Sequence, residues 1–462
     1  MFTAPNTGNA VIDDQGQVIT YPELNNISKS ISFILGSRSL ILCLCKNTIG
    51  SLLGYVSFIN NKSVPILVNY MIDNDQLMVL INKYKPHFLF IPKEKYNDFK
   101  RYDIIYEIFD YLLLKTNIEG FISLNPDLSL LLTTSGSTGS PKFVRQSYKN
   151  IISNTSSIIK YLDLNNQERP ITTLPMYYTY GLSVINSHLF CGATILLTQK
   201  TFMQKEFWDF FKETNSTSFA GVPYSYEILK RLRFFRMHLP SLVTMTQAGG
   251  KLSFQLHKEF AEYAQNTGRK FVVMYGQTEA TARMSYLPSR LSLVKCGSMG
   301  IPIPGGKFEL IDTQGNIITT PNTIGELIYE GDNVCMGYAE SGEDLSKGDE
   351  FGGVLQTGDL AERDFDGFYY IVGRKKRFLK IFGSRVNLDE TEQLIKSEYP
   401  NLDCACTGKD DNMLIYITNP NYLDTLRNYI NSKTSIHPQG YVVKIIESIP
   451  KNETGKTEYS KL

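Results

Sequence analysis

Four short and predominantly apolar runs, residues 40–44, 64–68, 88–91 and 128–132, constrain this chain more than any other feature. Such runs, bounded by turn-forming residues, suit strands buried on both faces, and strands of that kind belong to parallel sheets with helices packed over them. The intervening segments have helical spacing. Leu24, Ile27, Ile31, Ile34 and Leu35 recur along one face behind Thr20 and Glu23, a capping-box pair, and Gly36 supplies the stop. A second helical pattern covers residues 51–59, so strand, helix and strand follow one another as in a doubly wound α/β fold. The alternation continues to about Val372, with turn-rich, strand-like stretches between Gly300 and Tyr338. Beyond Gly373 come a basic stretch, a helical pattern over residues 388–399 and strand-like segments at 413–417 and 441–446. The predicted architecture is α/β. Residues 1–372 form a large N-terminal domain of doubly wound subdomains plus a β-rich subdomain, and residues 373–462 form a small α+β C-terminal domain.

At 462 residues the chain can bury several cores. Lys and Arg total 47 against 46 Asp and Glu, a net charge of +1, which disfavours a protein that holds nucleic acid through its phosphates. The seven cysteines form no C-x-x-C pair. Cys43 and Cys45, like Cys404 and Cys406, alternate as residues in strands do, and this usage predicts a reducing, intracellular compartment. The first residues lack the basic start and apolar core of a signal peptide, and no apolar run approaches the ~20 residues that span a bilayer. A cytoplasmic protein is expected, with no transmembrane segment.

The last apolar run leads into Thr133, Thr134, Ser135, Gly136, Ser137, Thr138, Gly139, Ser140, Pro141 and Lys142, and a helical pattern starts near Ser147. Glycines allow tight turns, backbone N–H groups can face an anion, hydroxyls add donors, and a lysine adds charge. The loop is suited to phosphate. It is not a Walker A loop, because Ser140 and Pro141 separate Gly139 from Lys142.

Further motifs follow in order: Tyr275, Gly276, Gln277, Thr278 and Glu279; then Gln356 to Asp359; then Gly373 and Arg374 through Lys380 to Gly383; and finally Pro450 to Lys456. Together with the loop, this set resembles the adenylate-forming superfamily of acyl- and aryl-CoA synthetases, luciferases and peptide-synthetase adenylation domains. The resemblance covers essentially the full chain. It implies that ATP and Mg²⁺ activate a carboxylic acid as an acyl-adenylate, and that the acyl group then passes to a thiol of coenzyme A or of carrier-protein phosphopantetheine.

The chemistry asks for cations between two anions. A carboxylate about 4 Å from a phosphate charge costs about 4 kcal/mol at an effective dielectric of ~20. The resemblance gives this bridging role to Lys456. It gives α-phosphate contact to Thr278, Mg²⁺ to Glu279, a hard oxygen ligand for a hard cation, and adenine packing to Tyr275. Gly249, Gly250 and Lys251 resemble the adenine-side segment. Asp359 would accept from both ribose hydroxyls, and Arg374 would contact ribose or phosphate. In the basic run 373–380, Lys376 matches the hinge of a mobile C-terminal domain and Lys380 the lysine that serves thiol transfer; read alone, such a run is a solvated face or a polyanion patch.

Phe143 stands where many members have glycine and Tyr148 where histidine is common, and the C-terminal domain is short for the family. The acceptor, coenzyme A or an acyl or peptidyl carrier protein, therefore stays open, as does a homodimer. Adenylation domains for α-amino acids place an aspartate in the segment matching residues 174–183, and here no acidic residue lies between Leu174 and His188. The tyrosines of that segment, with Gly221, Val222, Pro223 and Tyr224, look like walls of an acyl or aryl pocket. His188, alone in an apolar stretch, reads as a core residue. The alternatives are an amino-acid adenylating enzyme that loads a carrier in trans and a catalytically silent nucleotide-binding regulator.

Overall fold

In the computed structural model, which describes residues 7–118, 122–133, 142–375, 377–382, 384–433, 436–452 and 455–462, the four apolar runs lie side by side. They are the parallel strands Leu128–Thr133, Val64–Asn69, Leu40–Cys45 and Phe88–Pro92, in that sheet order. Antiparallel strands extend both edges: Phe143–Ser147 and then Tyr338–Ala339 on one side, Tyr111–Lys115 and then Asp103–Ile108 on the other. A second sheet has a parallel centre of Lys270–Tyr275, Thr244–Gln247, Ser218–Gly221, Pro170–Ile171, Ile195–Leu197 and Asn9–Asp13.

Helices lie between these two sheets, and their sequences show it. Helix Ile49–Asn60 buries all its residues but the last, and Thr179–Phe190 is nearly as enclosed, because each faces sheet or helix on every side. Tyr55 Oη donates to Asn186 Oδ1 at 2.9 Å and ties the two helices together. One core joins Ile41, Cys43 and Leu67 of the first sheet to Leu182, Ile195 and Leu197. The more exposed helix Tyr21–Leu35 has the expected cap: Glu23 N donates to Thr20 Oγ1 at 3.3 Å and Thr20 N to Glu23 Oε2 at 2.8 Å. Cys43, Cys45, Cys404 and Cys406 pack as buried strand residues, and all seven cysteines are free.

The β-rich part is a four-stranded antiparallel sheet, Gly306–Ile311, Gly325–Gly331, Val354–Arg363 and Tyr369–Arg374. Its last strand leads into the smaller C-terminal unit. There the helix Leu388–Glu398 and the three-stranded sheet Cys404–Lys409, Asn412–Ile417 and Tyr441–Ile445 enclose a separate core around Ile395, Cys406, Ile415 and Ile430. Among the described residues no helix is long and apolar enough to cross a membrane.

Candidate active site

The strand Lys270–Tyr275 carries the second motif to the C-terminal edge of its parallel sheet, where ligands of such sheets gather. Gly276 follows because nothing larger fits: a Cβ there would sit 1.7 Å from the carbonyl oxygen of Ala282. The chain then doubles back. Thr278–Ala280 form a single 3₁₀ turn, and Thr281 and Ala282 take positive φ of 54° and 111°, conformations that cost residues with a Cβ on the order of 1–3 kcal/mol each. Asn333 holds the turn closed. Its Nδ2 donates to Ala280 O at 2.7 Å and Arg283 O at 3.1 Å, while its carbonyl accepts from Thr281 Oγ1 at 2.7 Å.

Asp359 sits at the centre. Tyr275 Oη donates to its Oδ2 at 2.5 Å, Gln277 Nε2 donates to the same oxygen at 2.9 Å, and Arg374 Nε lies 3.3 Å from Oδ1. Register explains the last contact, since Asp359 and Arg374 face each other across antiparallel strands. Burial and the adjacent carboxylate push the Tyr275 phenol well above its usual range, so it remains a donor.

Glu279 has a separate support. Tyr338 Oη donates to Glu279 Oε1 at 2.9 Å, and Lys142 Nζ stands 3.6 Å above the Tyr338 ring. Gln146 Nε2 donates to Thr278 O at 3.1 Å. On the neighbouring strand end, Gly249 has φ of 85°, and a Cβ there would lie 2.6 Å from Tyr178 Oη. Gly250 backs onto Pro223, and Lys251 Nζ donates to Ile371 O at 2.8 Å, next to the C-terminal unit.

Lys456 arrives from the C-terminal unit. Asn452 N donates to Lys456 O at 2.8 Å and Lys456 N to Asn452 Oδ1 at 2.9 Å, closing a turn in which Gly455 has φ of 75°. That turn rests on the N-terminal domain, with Gly455 against Tyr224 and Lys451 Nζ 5.7 Å from the Tyr224 ring centre. Tyr224 thus meets the C-terminal unit. Burial lowers the Lys456 pKa to about 8; Arg374 pushes in the same direction, and Asp359 and Glu279 oppose it. The ammonium therefore sits in the field of all three groups.

The basic run divides. Arg374 faces Asp359, Lys375 Nζ pairs with Glu326 at 2.7 Å, and Arg377 binds Asp389 and Glu392, each at 2.6 Å, inside the C-terminal unit. It is neither one solvated face nor one polyanion patch. Lys380 is exposed, its backbone N–H bound to Asp410 Oδ1 at 2.8 Å, and among the described residues its ammonium touches no site group. Thr134, Ser135, Gly136, Ser137, Thr138, Gly139 and the hinge candidate Lys376 lie outside the described residues.

Sequence reasoning missed Tyr338 and Arg145. Arg145 is fully buried and donates through Nε to Tyr338 O at 3.0 Å, through Nη1 to Lys347 O at 2.6 Å and through Nη2 to Met336 O at 2.8 Å, with Glu350 as counter-ion. It fixes the strand that presents Tyr338 to Glu279. The pairing spans nearly two hundred residues, so no local spacing announced it.

A family model described as "AMP-binding enzyme" matches residues 4–339. The chain belongs to the AMP-binding enzyme family. Curated relatives of this AMP-binding enzyme include a luciferin 4-monooxygenase of Photuris pensylvanica, 27% identical over 73% of this chain and 64% of the relative. An oxalate–CoA ligase of Arabidopsis thaliana is 29% identical over 58% of this chain and 52% of the relative. A 2-succinylbenzoate–CoA ligase of Bacillus pumilus is 28% identical over 64% of this chain and 58% of its own length. The chain thus aligns with little more than half to two-thirds of these relatives' lengths. In fold, it matches the o-succinylbenzoate CoA synthetase of Bacillus subtilis, solved with its acyl-adenylate, with a TM-score of 0.80 at 21% identity, covering 99% of this chain and 95% of that one. The ATP-bound MatB of Rhodopseudomonas palustris gives the same TM-score at 20% identity over 99% and 95% of the two chains.

Proposed function

We propose that this AMP-binding enzyme activates a carboxylic acid with ATP and transfers the acyl group to coenzyme A. What carries the reading is the convergence of Lys456, from the C-terminal unit, on Asp359, Arg374 and Glu279. A substrate carboxylate oxygen attacks the α-phosphorus, the bond to pyrophosphate breaks, and pyrophosphate leaves. A thiol sulfur then attacks the acyl carbonyl, the bond to AMP breaks, and the thiol proton passes to solvent.

Lys456 lies between the two anions of the first step and offsets their repulsion. Asp359 holds the ribose hydroxyls, with Tyr275 and Gln277 fixing its Oδ2 and Arg374 its Oδ1. Thr278 contacts the α-phosphate, and Gly249, Gly250 and Lys251 border the adenine, against which Tyr275 packs. The loop residues 134–139 and Lys142 take the outer phosphates. Tyr338 occupies only Oε1 of Glu279, which leaves a carboxylate oxygen suited to Mg²⁺. When bound, Mg²⁺ supplies charge neutralisation on the phosphate oxygens.

Residues 1–372 and 373–462 act as two bodies about Lys376. The burial of Lys456 in the field of Arg374, Asp359 and Glu279 and the exposure of Lys380 fit the conformation for the first step, and rotation brings Lys380 in for the second. Coenzyme A is favoured over a carrier by the ligase names among the relatives. An amino acid is disfavoured, because the pocket segment has no carboxylate for its ammonium. The test is ATP–pyrophosphate exchange across fatty, aryl, dicarboxylic and amino acids, followed by thioester formation with coenzyme A. Exchange with amino acids alone, or with none of these acids, would refute the reading.

A further inference from the structure

Two arginines of the described chain are fully buried, Arg145 and Arg283, and they are satisfied very differently. Arg145 has Glu350 and three backbone carbonyls around it. Arg283 has no carboxylate within ion-pair distance among the described residues. Its Nε donates to Ser183 Oγ at 3.2 Å, its Nη1 reaches Tyr161 Oη at 3.1 Å and Met274 Sδ at 3.2 Å, and its plane lies 5.1 Å from the Tyr180 ring centre. These partners are all neutral. Nη2 donates to nothing among the described residues. A guanidinium is always charged, and burying it without a counter-ion is costly.

The position is not accidental. Arg283 follows the strained turn at Thr281 and Ala282, three residues after the last member of the 3₁₀ turn that carries Glu279. Asn154 Nδ2, at 2.7 Å from Arg283 O, and Asn333 clamp its backbone. Its side chain lines a cavity with Leu162, Val184, His188, Ala220 and Thr246, and Thr246 Oγ1 accepts from Tyr180 Oη at 2.9 Å, a tyrosine of the segment that the sequence suggests as an acyl-pocket wall.

A second group points there. His188 is 4% exposed, its Nδ1 lies 2.8 Å from Val184 O, and its Nε2 has no partner. Bound to a carbonyl, Nδ1 carries the proton, so Nε2 is an acceptor that becomes a second donor when an anion stabilises the imidazolium.

We propose that the acid activated here carries a second oxyanion, such as the distal carboxylate of a dicarboxylic acid, and that Arg283 holds it at the far end of the pocket. The inference rests on the reading that the site activates a carboxylic acid. Arg283 supplies the missing half of an ion pair, and the same charge repels an acid that bears an ammonium.

The experiment is exchange with matched pairs, straight-chain diacids against monoacids of equal length and phthalate isomers against benzoate. The best diacid should exceed its monoacid partner in kcat/KM by on the order of 10²-fold, as loss of one partner from a buried charge pair implies. In Arg283→Met that ratio should collapse toward one, and the diacid should raise the melting temperature of the wild type but not of the variant. If the variant does not fold, the wild-type ratio alone decides. Preference for monoacids would overturn this inference while leaving the proposed function intact; exchange with no acid would overturn both.

Discussion

Raising the pH from 7 to 9 should lower kcat/KM for adenylate formation about tenfold, through Lys456 alone. Burial beside Arg374 brings this lysine from 10.5 to about 8. A group with that pKa is about nine-tenths protonated at pH 7 and about one-tenth at pH 9. Only the charged form offsets the repulsion between carboxylate and α-phosphate, so activity falls as pH rises through 8. Bound ATP adds negative charge next to the ammonium and raises its pKa, so the fall in kcat should appear at higher pH than the fall in kcat/KM. The stability term has the opposite sign: a lysine held below its unfolded value disfavours folding while charged, and that penalty fades between about 8 and 10.5. The assay is ATP–pyrophosphate exchange with the preferred acid, in which no thiol takes part. Lys456→Arg keeps a positive charge throughout the range. It should be slower at pH 7 but lose the decline above pH 8, and the same tenfold decline in that variant would refute the assignment.

Lys380→Ala should spare exchange and slow thioester formation, and Lys376→Pro, which fixes φ near −65°, should do the same; single-turnover rates of the two half-reactions check both, and equal losses would sink the two-conformation scheme. Asp359→Ala should abolish discrimination between ATP and 2′-deoxy-ATP, an effect of ~1–3 kcal/mol in ATP binding, read from the two KM values; an unchanged preference rejects the ribose contact. His188 and His257 are both lowered to about 4, chiefly by burial. The unfolded chain therefore takes up protons that the folded one refuses, and stability should rise with pH between about 4 and 6.5 by up to ~1.4 kcal/mol per unit for each histidine. Urea unfolding at a series of pH values measures the slope, and His257→Gln should remove about half of it.

The parallel strands were legible because burial on both faces leaves a local mark: residues 40–44, 64–68, 88–91 and 128–132 are apolar but for Ser129, whose buried hydroxyl donates to Gln146 O, and each became a central strand. The cap at Thr20 and Glu23 was legible for the same reason, since its partners are three residues apart. The motif residues could be named from their order, because Gly276, Asp359 and Lys456 each sit in a short recognisable context. Their mutual positions could not. Asp359 meets Tyr275 across 84 residues, Tyr338 meets Glu279 across 59, and Arg145 meets Glu350 across 205. That Tyr224 meets Gly455 of the C-terminal unit had no mark in the sequence either, since the two are far apart along the chain. Arg283 carried no signal, being one arginine in an otherwise ordinary stretch, until packing withheld a carboxylate from it. Periodicity and caps are properties of neighbours along the chain, whereas which charges meet, and which stay unpaired, follows only when separate strands and units close on one another.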